Sequence, residues 1–180
     1  MLRADRLKLL LLMGLFAAPG LAAWLVHDHW RPTATSSYGE LLAPFQLRLS
    51  DASGREAGNG SGLAALRGRW VLMTVAGMRC DAACARQIYL TRQVRTAQGR
   101  EQSRVERVLL QPVGAAAIDE PGLRHFTVPA EALAALPGAT PVRTFVVDPL
   151  GRVMLRFPSS PEGKGMIRDL GRLLKASGIG

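Results

Sequence analysis

The rhythm of hydrophobic and polar positions changes several times along the chain. Residues 9–26, LLLLMGLFAAPGLAAWLV, carry no charge. As a helix they would extend ~27 Å, close to the hydrocarbon thickness of a bilayer. Pro19 and Gly20 interrupt the run, and a membrane helix tolerates such breaks. From His27 to Ala43 no period is sustained, and Pro, Ser and Thr mark a linker. FQLRLSD, 45–51, alternates apolar and polar positions and predicts a strand. WVLMTVAG, 70–77, is apolar without alternation, as a strand buried on both faces requires. Over 82–98 the period becomes helical: Ala83, Gln87, Leu90, Val94 and Ala97 share one face, with Arg86, Arg92 and Arg95 largely elsewhere. RVERVLLQPV, 104–113, predicts the next strand. Residues 114–141 read as loop, with a short helix at 130–136 and prolines at 121, 129, 137 and 141. RTFVVDPLGRVMLRF, 143–157, predicts a hairpin turning at Asp148-Pro149-Leu150-Gly151. Ser160-Pro161-Glu162 opens a last helix with Met166, Ile167, Leu170, Leu173 and Leu174 at helical spacing.

The order is strand, then β-α-β, then β-β-α. It predicts an α/β domain with a thioredoxin-like central mixed sheet flanked by helices, behind one N-terminal transmembrane helix. The expected division is a basic flank at 1–8, the membrane helix at 9–26, a linker at 27–43 and the folded domain at 44–180. Arg3, Arg6 and Lys8 outweigh Asp5 and hold the flank in the cytoplasm. Trp24 and Trp30 sit where interfacial aromatics belong. The abundance of Ala, Leu and Arg points to a GC-rich bacterial genome. The expectation is a single-pass signal-anchor in the bacterial inner membrane with its C-terminal domain in the periplasm. GLAA also offers small residues to a signal peptidase, so a cleaved signal peptide is the rival reading. Either way the domain meets oxidants.

Charge adds one exclusion. The chain carries +9, of which residues 1–31 hold four basic and two acidic side chains, leaving +7 beyond. The arginines are scattered and no aromatic-rich basic patch accompanies them, so nucleic acid is not an expected partner.

The chemistry concentrates at the corner after the central strand. The chain has two cysteines, Cys80 and Cys84, where the apolar run gives way to helix. A helix start exposes unpaired N–H groups and the positive end of the dipole, which favours a thiolate. Arg79 acts in the same sense and Asp81 against it. Positions i and i+4 stand roughly 5–6 Å apart at Cβ, and a disulfide needs ~3.8 Å. If Cys80 lies just before the helix, a small adjustment closes the gap. The pair can then be a disulfide or two parallel thiolates able to clamp a soft ion such as Cu(I). A plain stabilising disulfide is the other reading, though so small a loop yields little stability. Redox or metal chemistry requires both sulfurs to share one accessible ledge.

These residues resemble the Sco/SenC family of membrane-anchored cytochrome c oxidase assembly proteins. The resemblance rests on the N-terminal anchor, on GRWVLMTVAGMRCDAAC with its Cys-x-x-x-Cys, and on FVVDPLGRVMLRF with its Asp-Pro-x-Gly turn. The whole chain, including SSYGELLAPFQL, is also similar to small transmembrane proteins that bacteria encode beside oxidase assembly factors. The resemblance implies a copper chaperone or thiol-redox factor whose partner is a cytochrome c oxidase subunit or another assembly factor. It implies Cys80 and Cys84 as copper ligands or redox thiols. The family's histidine ligand falls at Thr140 here, and its proline between the cysteines is replaced within Asp81-Ala82-Ala83. His125, expected in a surface loop, is the substitute candidate for a third copper ligand. Met78 is a soft thioether beside the pair, and His27 and His29 form a His-x-His pair near the membrane. Pro141 stands where thioredoxin-like oxidoreductases place a cis-proline. The alternatives are a periplasmic thiol–disulfide oxidoreductase, which would be an enzyme, and a thioredoxin-like binding scaffold without metal.

Overall fold

A computed structural model of the chain describes residues 2–29, 37–46, 53–54, 66–138 and 142–179. The chain divides into two compact units, Met1–Ser36 and Ser37–Gly180. The first contains α1, Leu2–His29, which includes Pro19 and the uncharged run 9–26. Among the described residues no helix is long and apolar enough to cross a membrane.

The second unit is built on a seven-stranded sheet. Its strands are β1 (Glu40–Gln46), β2 (Ser53–Gly54), β3 (Trp70–Val75), β4 (Val105–Pro112), β5 (Leu123–Val128), β6 (Arg143–Val147) and β7 (Arg152–Arg156), in the spatial order β1-β7-β6-β3-β4-β5-β2. β3, β4 and β5 run parallel, and every other pairing is antiparallel. The helices are α2 (Ala82–Thr96), α3 (Ala130–Ala134) and α4 (Gly163–Ala176), with a 3₁₀ helix at Gly99–Arg104. The sheet is mixed, helix-flanked and thioredoxin-like, as the element order predicts.

All six residues of β3 are buried, because this strand has neighbours on both edges and helices over both faces. The pleat divides its side chains. Val71, Met73 and Val75 join Phe126, Leu133 and Phe145 in one core layer, on the α3 side. Trp70 and Leu72 join Val146, Phe157, Met166, Leu170 and Leu174 in the other, under α4. Met166, Leu170 and Leu174, spaced by four, supply the buried stripe of α4. The β6–β7 hairpin turns as expected. Asp148 Oδ1 accepts from the amides of Leu150 (2.9 Å) and Arg152 (2.8 Å), and Gly151 takes φ +82°, a conformation costly for other residues.

Three elements differ from expectation. Sheet pairing begins at Glu40, so the last residues of the segment read as linker already belong to β1, which is described to Gln46; residues 47–51 of the expected strand lie outside the described residues. The pairing with β7 slips between Leu41 and Phe45, which removes the alternation that strand recognition depends on, and Pro44 is tolerated because β1 is an edge. Before it, the Gly39 amide donates to buried Asp169 Oδ2 (2.7 Å) and the Tyr38 hydroxyl accepts from the Glu162 amide (2.8 Å). Secondly, 114–141 is not all loop, since β5 occupies 123–128 and pairs along β4. The prolines that suggest loop lie outside its ends, at 121 and 129. Thirdly, the buried side of α2 is Cys84, Gln87, Ile88, Thr91 and Val94. The expected face is rotated: Ala83 and Ala97 are exposed and Leu90 is half-buried.

The rotation of α2 follows from Arg107 beneath it. This β4 residue is 2% exposed. It donates to the Ile88 carbonyl (2.8 Å), to Thr91 Oγ1 (3.3 Å) and to Glu120 Oε1 (2.6 Å). Burial pushes its pKa down, and the Glu120 carboxylate opposes that fall. Glu120→Ala leaves this buried guanidinium without its counter-charge. It should lose about 3 kcal/mol of stability in chemical denaturation, whereas Glu106→Ala, at an exposed pair with Arg69, should lose less than about 1 kcal/mol. Equal small losses would contradict this account of the α2 seat.

Candidate functional site: a disulfide at a helix entrance

β3 delivers the chain to the site. At its end the Ala76 amide donates to the Leu110 carbonyl (3.0 Å), and Gln111 Nε2 donates to the Gly77 carbonyl (2.7 Å). The loop is thereby tied to β4 before the chain turns into α2. Asp81 is the N-cap residue, with extended φ −78° and ψ −175°, and its Oδ1 accepts from the Cys84 amide at 2.9 Å. Cys80 precedes the cap and Cys84 lies in the first turn. They are joined in a disulfide with Cα atoms 5.1 Å apart. The adjustment expected at the helix start is therefore made by Asp81, whose non-helical backbone lets Cys80 fold back over the turn.

The expectation that both sulfurs share one accessible ledge is not met. Disulfide exchange tolerates this, because only one sulfur must be reached by a partner and the second acts within the chain. A two-thiolate metal clamp does not form in this geometry. Cys80 is half-buried, while Cys84 is 0% exposed among Ala76, Ile88, Leu109 and Val142. One half of the disulfide is partly exposed at the edge of that cluster and the other is sealed within it. An attacking thiolate can reach Cys80, and Cys84 can act only on Cys80.

Behind the disulfide lies a polar chain that hydrophobic periodicity cannot reveal. Gln87, one turn beyond Cys84, is 1% exposed. Its Nε2 donates to the carbonyls of Val142 and Ser159, each at 2.9 Å, and its Oε1 accepts from Thr144 Oγ1 at 2.7 Å. Thr144 gives its one proton to Gln87, so Thr74 is the donor in the 3.2 Å contact between the two threonines. The chain ties α2, β3, β6 and the entrance to α4 together below the cysteines. Its signal in the sequence is the polar residue recurring within the buried face of α2. A cleft of about 550 Å³ opens on the other side of the loop, lined chiefly by Val75, Pro112, Leu133, Leu136 and Val142, with Arg79 and Asp81 at the site end.

Of the other sequence candidates, His125 is neither in a loop nor at the surface. It is in β5, in register with Leu109, and 7% exposed. Among the described residues no group of three His, Cys, Asp or Glu side chains could hold a metal ion. Met78 and Arg79 are exposed beside Cys80. Thr140, Pro141 and the His27 and His29 side chains lie outside the described residues.

A mixed sheet with a Cys-x-x-x-Cys disulfide at the first turn of the helix after its central strand defines a thioredoxin-like protein. The chain belongs to the family of transmembrane-like, thioredoxin-like C-terminal domains, whose model matches residues 70–177. No curated protein matches it. Among solved structures it is similar to copper-bound yeast Sco1, with TM-score 0.56 and 10% identity over 80% of this chain and 96% of that one. Copper-bound Arabidopsis thaliana ScoI gives TM-score 0.54 and 9% identity over 78% and 100%. A secreted thiol-disulfide isomerase from Corynebacterium glutamicum gives 0.54 and 13% over 81% and 96%. At these identities the likeness is one of fold.

So small a disulfide loop removes little entropy from the unfolded chain, about 2 kcal/mol by loop-closure arithmetic. Reduction should leave the domain folded with Tm lowered by roughly 5–10 °C. Loss of cooperative unfolding after reduction would mark the disulfide as structural.

Proposed function

We propose that this chain is a membrane-anchored, Sco-like assembly factor for cytochrome c oxidase, and that Cys80 and Cys84 maintain the thiols of the oxidase copper site. The observation that carries the redox part is the asymmetric disulfide, with Cys80 reachable and Cys84 enclosed behind it. In the direction that oxidises the chain, the Cys80 thiolate attacks a disulfide in the partner and forms a mixed disulfide, releasing one partner thiolate. The Cys84 thiolate then attacks Cys80 Sγ, closing the intramolecular disulfide and releasing the second partner thiolate. Two electrons pass from this chain to the partner, and a thiol reductant of the compartment must restore the dithiol. The positive end of α2 favours the attacking thiolate. The oxidoreductase reading uses the same steps on a wider set of partners.

Copper enters this reading as cargo. The described residues do not complete a three-ligand copper site, and the disulfide offers no thiolate. In the reduced state a two-point Cu(I) clamp would require Cys84 to turn out of its apolar pocket beside Cys80, with the exposed Met78 thioether as a further soft donor. The fold shared with copper-bound Sco proteins supports this use of the pair.

The proposed anchor is the uncharged run 9–26, with 1–8 in the cytoplasm, 27–43 outside the bilayer and the domain from 44 in the periplasm. This reading rests on the sequence, since among the described residues no helix of the structure is long and apolar enough to cross a membrane. Leu12, Phe16, Leu21 and Trp24 of α1 are each 59% exposed or more, an apolar surface suited to lipid. The family's transmembrane-like character agrees with this placement.

In the full chain, Cys84→Ser should trap a mixed disulfide at Cys80 with a peptide disulfide, visible as a mass adduct. Cys80→Ser should trap none. Equal trapping by both variants would reject the division of roles. For copper, the Cys80→Ala/Cys84→Ala variant should lose the Cu(I) bound by reduced wild type, and unchanged stoichiometry would remove the metal from the proposal.

A further inference from the structure

The outward face of α2 is a second feature of the site, and the disulfide chemistry makes no use of it. Ala82, Ala85, Arg86, Tyr89, Arg92 and Gln93 are all exposed and recur at three- and four-residue intervals, so they form one stripe leading away from the cysteines. Tyr89 is 60% exposed at its centre. At its head stand Met78, 51% exposed, and Val113, 63% exposed. The Met78 methyl lies near Gly114, the residue after Val113: a Cβ there would be 3.5 Å away. Tyr, Met and Arg grouped on a surface are the residue types enriched where proteins bind proteins.

The charge on this face is unmatched. α2 carries Arg86, Arg92 and Arg95 and no acid. Arg79, Arg86 and Arg92 make no ion pair or hydrogen bond among the described residues. Elsewhere in the domain arginines have acids at hand: Arg69 with Glu106, Arg104 with Glu101, Arg107 with Glu120, Arg152 with Asp148 and Arg156 with Glu40. Asp81, at the head of the stripe, caps Cys84 through Oδ1 and leaves a single carboxylate there against three arginines.

We propose that the Met78–Arg79 loop and the Arg86–Tyr89–Arg92 stripe form the docking surface for an acidic polypeptide segment. The segment lies along α2 with apolar side chains against Met78, Val113 and Tyr89 and carboxylates against the three arginines. The redox proposal supplies the purpose, because such a segment would bring a partner thiol to Cys80. The docking itself follows from the charge pattern and holds without redox chemistry. A polypeptide fits better than an anionic membrane, since a bilayer lying on this face would cover Cys80 against any thiol partner.

The test uses the full chain in phosphatidylcholine nanodiscs and a fluorescent short peptide alternating Asp/Glu with Leu/Val, with serine in place of cysteine. Its affinity by anisotropy is compared with that of a Gln/Asn counterpart. At low ionic strength the acidic peptide should bind at least ~10-fold tighter, and molar salt should remove most of that difference. Arg79→Ser/Arg86→Ser should abolish the preference, while Arg100→Ser, on the 3₁₀ helix, should keep it. No acidic preference, or a preference that survives the double substitution, overturns the proposal. So does binding of phosphatidylglycerol vesicles through Arg79 and Arg86 without peptide preference. Since the probe has no thiol, acidic binding with an inert disulfide would reject the redox proposal alone, and active exchange without acidic preference would reject the docking surface alone.

Discussion

The site depends on where α2 is made to begin. At the entrance to α2 an acceptor within the protein must satisfy the amide of the enclosed Cys84. Asp81 does so for Cys84, and its extended backbone leaves Cys80 outside the helix. The same residue therefore caps the helix and sets the reach between the cysteines. Cys84 is held from both ends, its amide by the cap and its side chain by the apolar pocket of Ala76, Ile88, Leu109 and Val142. That double hold makes the disulfide asymmetric, and the asymmetry separates the reachable sulfur from the enclosed one.

Polar interactions inside the body keep that geometry fixed. A sheet core made only of Leu, Val and Phe would let α2 slide or roll. Gln87 prevents rolling by reaching two carbonyls and a threonine, and Arg107 prevents sliding by gripping the Ile88 carbonyl, Thr91 and Glu120. Both side chains are nearly fully buried and fully engaged, which is the condition under which buried polar groups specify a structure rather than weaken it. The consequence for function is a rigid Cys84 behind a loop, 77–80, whose Met78 and Arg79 remain exposed.

Much of this architecture was legible in the sequence. The continuous apolar run of β3, the Asp-Pro-x-Gly hairpin and the 3-and-4 spacing of α4 report burial directly, so these elements fall where periodicity places them. β1 begins earlier than the alternation indicates because its pairing slips between Leu41 and Phe45 and an edge strand need not alternate. β5 was hidden by flanking prolines that end the strand rather than exclude it. Apolar periodicity rotates the α2 face because it does not register that Thr91 turns inward to meet Arg107 beside Cys84 and Ile88. The cysteine corner was located correctly, but sequence spacing carries no information on which sulfur is covered. His125 shows the same limit, since a polar residue in an apparent loop proved to be inside the sheet.

We propose that Cys80–Cys84 works as a redox couple rather than as a staple. The most direct measurement is the couple's midpoint potential, by equilibrating the full chain with dithiothreitol buffers and counting free thiols. A working couple should give a value above about −300 mV, within the span of thioredoxin-like catalysts. A value well below that would leave the pair permanently oxidised and mark it as a staple.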